Sequence, residues 1–352
     1  MVRSRLDGAR PSLADTEIGS WPKERRMIAP LAKLMDWSAI QATTMLMPST
    51  KAQSPRTEET LKFLKMPDSL PVESQPAQVE FDPDESGVHF RFPTPQPSDF
   101  AGNNTVYGRL YRCRERWQER PVIVLLHGAG DFPEYHFRFP LIGRRCNRMG
   151  LNVVTLVAPY HFQRRPRQLK ASGNMDCLMI AKTATQAIAE IRALTGWLLK
   201  EGCRAVTLWG VSMGAWYAGM AVCCDARLNS VVLAAPAVRM NPWMEQQAVR
   251  PCIRRRLQGL REVCEKLNLS ALNLTSSQPA IAKDNILLIE GIHDLFVPKE
   301  DVEDLWQSWG QPDIWRLPHG HIGVCCGFVP GLTGRVLDWL TPRLEAGRKQ
   351  NV

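Results

Sequence analysis

Short runs of continuous apolar residues, spaced by helix-length stretches, constrain this chain more than any other feature. The runs are Val122 to Leu126, Val153 to Val157, Ala205 to Trp209, Val231 to Ala235 and Ile286 to Ile289. Ile314 to Leu317 is a weaker last member. A strand with one wetted face alternates apolar and polar residues, whereas these runs do not alternate. They therefore predict parallel strands covered on both faces. Between them, Asp176 to Leu199 places Ile180, Ile188, Ile191, Leu194 and Leu198 on one side of a helix, and Val302 to Trp309 and Val336 to Leu344 predict shorter helices. Strand–helix alternation of this kind means an α/β architecture with a mostly parallel sheet. Upstream, Val88 to Phe92 and Thr105 to Tyr111 do alternate, which predicts half-buried antiparallel strands ahead of the parallel set.

Two regions break the rhythm. Residues 1–80 are rich in proline and poor in strand-like runs, and read as an N-terminal extension. Within it, Met27 to Met47 and Glu58 to Lys65 carry helical patterns, and such helices are expected to dock on a main domain spanning 81–350. Residues 239–284 lie between two core strands and are rich in arginine (Arg250, Arg254, Arg255, Arg256, Arg261). An insertion there hangs over the carboxyl ends of the strands, so it is expected to be a cap.

Composition narrows the class. Of the 352 residues, 44% are hydrophobic and 22% charged, as in soluble globular proteins and unlike disordered ones. No apolar window is long enough to predict a spanning helix. The start, Met1-Val-Arg-Ser, has no apolar segment behind its basic residues, so a cytoplasmic location is expected. The 10 cysteines include the vicinal pairs Cys223-Cys224 and Cys325-Cys326 and no CxxC, which favours reduced thiols over disulfides or a zinc site. Neither a metal nor a cofactor is expected. The net charge of +9 concentrates between residues 109 and 170. No nucleic-acid recognition module accompanies it, so it reads as a solvated basic face or a preference for anionic substrates.

The chemistry-bearing residues sit just after the predicted strands. Gly210-Val-Ser212-Met-Gly214 follows one strand and opens a helix, the strand–turn–helix setting that projects a serine hydroxyl. His127-Gly128-Ala129-Gly130 closes the first parallel strand. Acyl transfer needs two backbone N–H groups aimed at a developing oxyanion. Met213, the residue after the nucleophile, supplies one, and Ala129 is preferred to Gly130 for the other. Asp294 closes a buried strand and can hold an imidazole in its reactive tautomer, with Glu245 and Asp225 as weaker candidates. His319 and His321 follow the last strand, and either can shuttle the serine proton. Tyr160, His161 and Arg164, with the neighbouring arginines, follow the second parallel strand and can bind a substrate carboxylate or phosphate.

Together these features resemble the α/β-hydrolase superfamily over about residues 85–347. The resemblance implies an eight-stranded, mostly parallel sheet with helices on both faces and an antiparallel meander at its start. It implies Ser212 as nucleophile, Asp294 as orienting acid and His321, through its Gly320-His321 step, as base. A closer resemblance is to the abhydrolase domain-containing 18 group. His127 to Asp131, the segment Ala158-Pro159-Tyr160-His161 with Arg164-Arg165-Pro166, and the Gly210 to Gly214 elbow carry it. The chain departs from that group at Ala215, where the group has glycine, and in its Pro-His-Gly-His loop, where the group has Gly-Gly-His. The expected activity is hydrolysis of a small carboxylic ester, on an anionic substrate if the arginines face the site. Thioesterase, peptidase and acyltransferase chemistry can use the same residues, and a non-catalytic binding protein can use the same fold.

Overall fold

The computed structural model describes residues 29–45, 75–83, 88–130, 133–167, 177–239 and 269–346. Its centre is one sheet of nine strands: β1 (Glu80–Phe81), β2 (His89–Pro93), β3 (Thr105–Tyr111), β4 (Val122–Leu126), β5 (Asn152–Leu156), β6 (Val206–Val211), β7 (Ser230–Ala234), β8 (Ile286–Gly291) and β9 (Asp313–Leu317). The spatial order is β1-β2-β3-β5-β4-β6-β7-β8-β9. Pairings from β5 through β9 are parallel, and those of β1, β2 and β3 are antiparallel. The sheet thus has the eight strands expected and a ninth, β1. With only two residues, β1 has no periodicity for a sequence to display.

Each apolar run becomes a strand because both faces are covered. All residues of β4, β5, β6, β7 and β8 are buried. Along β4, Val122, Val124 and Leu126 enter one core layer while Ile123 and Leu125 enter the other. The first layer packs under α3 (Cys177–Lys200) and α4 (Met213–Cys224), the second under α2 (Phe139–Arg148) and a C-terminal helix, Leu332–Ala346. Between β8 and β9 runs α5 (Lys299–Ser308), and the short α6 (His321–Cys325) follows β9. The C-terminal helix Leu332–Ala346 is α7, and α1 is Ala29–Met45. A π-helical turn, Glu134–Arg138, leads into α2.

The chain order reverses around β4. Strand β5 lies on one side of β4 and β6 on the other, so the loops after these strands part and leave a crevice at their carboxyl ends.

Most of the expected cap, residues 240–268, lies outside the described residues, as does the expected helix 58–65. Residues Leu269–Leu272 and Leu274–Ser276 form short 3₁₀ turns against α4. There the Trp216 indole donates to the Leu272 carbonyl at 2.8 Å, and Leu274 fills the space left by Gly219.

Candidate active site

Strand β6 runs straight into the elbow. Ser212 takes φ 52° and ψ −115°, a conformation an L-residue adopts only when its surroundings enforce it. Its N–H donates to the Ala234 carbonyl at 2.8 Å, and its own carbonyl accepts from Trp216 at 3.0 Å. The flanking glycines are there for close approach. A Cβ at Gly210 would stand 2.3 Å from the Gly214 carbonyl oxygen, and one at Gly214 would stand 2.2 Å from the Leu126 oxygen. The turn therefore presses β6 and α4 together and leaves the serine hydroxyl at the carboxyl end of the sheet.

Loops after β8 and β9 bring the partners. His321 Nδ1 lies 2.7 Å from Asp294 Oδ2, and His321 Nε2 lies 3.0 Å from Ser212 Oγ. With Nδ1 donating to the carboxylate, Nε2 is the acceptor for the serine hydroxyl. The other Asp294 oxygen accepts the N–H groups of Phe296 (2.7 Å) and Val297 (2.8 Å), which fixes the carboxylate. Phe296 also stacks on the His321 ring at 4.6 Å. Burial works against a charged imidazole here, but Asp294, followed by Cys325, outweighs it and holds the His321 pKa well above its ordinary value. Of the two competing histidines, His321 is the one beside Ser212. His319 is buried, and its Nδ1 has no hydrogen-bond partner among the described residues.

The loop after β4 is built around a buried imidazole. His127 Nε2 accepts the Ala158 N–H at 3.1 Å, so its proton sits on Nδ1, which donates to the Gly128 carbonyl at 2.7 Å. Burial drives the His127 pKa down to about 3, so the ring is neutral. The Gly128–Ala129 peptide is planar and trans, so fixing its carbonyl on His127 turns the Ala129 N–H the opposite way. Gly128 N–H instead faces the buried Glu134 carboxylate at 3.5 Å. Glu134 is paired with Arg138 at 3.0 Å, and Arg138 also donates to the Cys325 carbonyl of α6. The N–H groups of Ala129 and Met213 have no hydrogen-bond partner among the described residues.

The pocket residues expected after β5 divide. Tyr160 is half-buried, with its N–H donating to Asn103 Oδ1 at 2.8 Å and its ring edge-on to Phe100. His161 is half-buried beside His127, with ring centroids 5.2 Å apart. Arg164 corrects the expectation of a substrate contact, because its side chain is completely buried. Its guanidinium pairs with both oxygens of Glu190 at 2.6 and 2.7 Å, and donates to the carbonyls of Val157 and Asn103. That charge is spent inside the protein. Asp225 is likewise occupied, by Arg227 at 2.6 Å and Arg192 at 3.6 Å, while Glu245 lies outside the described residues.

One contributor escapes sequence reasoning. Asp36 of α1 is fully buried, and its carboxylate accepts N–H groups from Leu295, His321 and Ile322. The sole signal was an acid inside an apolar helical stretch, between Met35 and Trp37. No group of three or more potential metal ligands is gathered among the described residues, and none of the described helices is long and apolar enough to cross a membrane.

The fold has known counterparts. An acetyl xylan esterase from Paenibacillus sp. R4 superposes with a TM-score of 0.55 at 15% identity, over 86% of this chain and 98% of that one. An esterase from Pyrococcus furiosus does so with a TM-score of 0.50 at 16% identity, over 84% and 97%. The family model for alpha/beta hydrolase domain containing 18 matches residues 103–245, from before β3 to beyond β7. The chain has the α/β-hydrolase fold. In sequence, it is 28% identical over 250 residues to an uncharacterized protein of Mycobacterium tuberculosis strain H37Rv. The match covers 65% of this chain and 58% of the relative's length. A second relative, the uncharacterized protein YdjC of Bacillus subtilis, is 41% identical over 46 residues, which is 13% of this chain and 40% of the relative.

Proposed function

We propose that this protein is a serine hydrolase of the α/β-hydrolase superfamily that cleaves a small carboxylic ester through an acyl-enzyme. The observation that carries the reading is the continuous line Ser212–His321–Asp294, at 3.0 and 2.7 Å, with the serine held in a strained turn. In this reading Ser212 Oγ attacks the ester carbonyl as His321 Nε2 takes its proton. Asp294 stabilises the imidazolium. The Ala129 and Met213 N–H groups receive the oxyanion, and losing one such donor typically raises the barrier by ~3 kcal/mol. Collapse expels the alcohol, which takes the proton from His321. Water then enters and attacks the acyl carbon as the same ring takes its proton, and collapse releases the acid while His321 returns that proton to Ser212 Oγ. The esterases with the same fold support ester chemistry over the alternatives on these residues.

Reaction with a fluorophosphonate probe tests the proposal. Labelling is expected in the native chain and absent in Ser212→Ala, with both proteins melting at similar temperatures. Equal labelling of the two would sink the assignment. A series of p-nitrophenyl esters, with and without added alcohols, then separates hydrolysis from acyl transfer.

A further inference from the structure

We infer that Asp36 is a positioning residue for the acid and the base of this site, holding their two loops together from the N-terminal helix α1. The inference rests on the serine-hydrolase reading above and deepens it.

Asp36 Oδ2 accepts the Leu295 N–H at 2.9 Å and the His321 N–H at 2.8 Å. Oδ1 accepts the Ile322 N–H at 2.9 Å. Leu295 directly follows the acid Asp294, and His321 is the base itself. One oxygen atom therefore fastens the loop after β8 to the loop after β9, and the separation it fixes is the one across the Asp294–His321 hydrogen bond. Such a pair must be held to within about half an ångström to function. Direct main-chain pairing supplies less, because it runs past the strands only to the His293 N–H, which donates to the His319 carbonyl at 3.1 Å, short of Asp294 and His321 themselves.

The chemistry is specific to a carboxylate. All three partners are backbone donors, and no cation pairs with Asp36 among the described residues. A buried carboxylate is costly unless its oxygens are satisfied, and here main-chain amides satisfy them. The opposing surface is cut to fit. A Cβ at Gly320 would lie 2.7 Å from both carboxylate oxygens. Gly320 has φ −88°, open to any residue, so its lack of a side chain serves the approach of Asp36 and not the backbone. The helix docks with this face inward: Ala32, Asp36 and Ile40 are buried, while Leu31, Leu34 and Trp37 are exposed.

The test uses the full chain with Asp36→Ala, Asp36→Asn, Gly320→Ala and the Asp36→Ala/Gly320→Ala pair. Ester kinetics and fluorophosphonate labelling are read beside hydrogen exchange in peptides covering 293–297 and 319–323. Asp36→Ala is expected to lower kcat by about 100-fold, the cost of a misplacement near 1 Å, with KM little changed. Exchange should quicken in those two peptides and not across the sheet. Asp36→Asn keeps an acceptor oxygen but turns an NH₂ toward one donor, so its loss should be intermediate. Gly320→Ala should impair the native chain and add little once the carboxylate is gone. Unchanged kcat in Asp36→Ala, or faster exchange spread evenly over the fold, overturns the inference. If the native chain neither labels nor turns over, the hydrolase reading fails. The two loop peptides then judge Asp36 alone, and unchanged exchange there overturns its holding role.

Discussion

At the residue scale the decisive group in the proposed mechanism is His321, because its protonation state would set whether Ser212 can be activated. The imidazole must be neutral to accept the serine proton. Asp294 favours the imidazolium and holds the pKa well above the usual 6.5. The neutral base therefore becomes abundant only as pH rises past that displaced value. We expect kcat/KM to climb along an acid limb centred above pH 6.5, measured over pH 5 to 9. Asp294→Asn should move the limb down while lowering the plateau. That Ser212, Asp294 and His321 come together was legible because each follows a strand whose apolar run is plain in the sequence. Which of His319 and His321 faces the serine was not legible from residue type, since the two differ only in which way the loop turns. Arg164 misled for a related reason. An arginine beside prolines in a loop looks solvent-facing, and only the tertiary structure places Glu190 of α3 beneath it.

At the element scale, the contacts between loops and helices carry the site. Gly214 lets α4 press on β4, with no room for a Cβ beside the Leu126 oxygen. Gly214→Ala should destabilise the fold by about 1–3 kcal/mol, as overpacking does, and should impair Ser212 beyond that loss. Urea unfolding combined with labelling separates the two effects. The Arg164–Glu190 pair ties the loop after β5 to α3. Thr94 donates to the same glutamate at 2.7 Å and Gln186 at 3.0 Å. Arg164→Met should cost about 3–5 kcal/mol by leaving the carboxylate buried and unpaired, and Glu190→Leu added to it should restore much of that stability. The glycines at 210 and 214 could be read from sequence because a tight elbow demands small residues. The ion pair could not, because its partners belong to different elements and show no common spacing.

For the whole molecule, the alternation of strand runs and helices was enough to predict the layered architecture. The strand order, with the chain turning back around β4, came from the structure, as did the two-residue β1. Stability should carry the mark of His127. Its folded pKa of about 3 lies below the ordinary 6.5, so the unfolded chain binds this proton more readily. The contribution is fully present above pH 6.5 and is lost as pH falls toward 3. Chemical denaturation of the native chain and of His127→Gln should therefore diverge in pH slope within that window, the native chain showing the steeper loss. Asp36 sits near the start of the chain, yet its amide partners lie 259, 285 and 286 residues further on. A ribosome making this protein emits the clasp long before what it fastens. Helix α1 stays unmated at this contact until residues 321 and 322 have emerged, so the corner holding Asp294 and His321 cannot close before then.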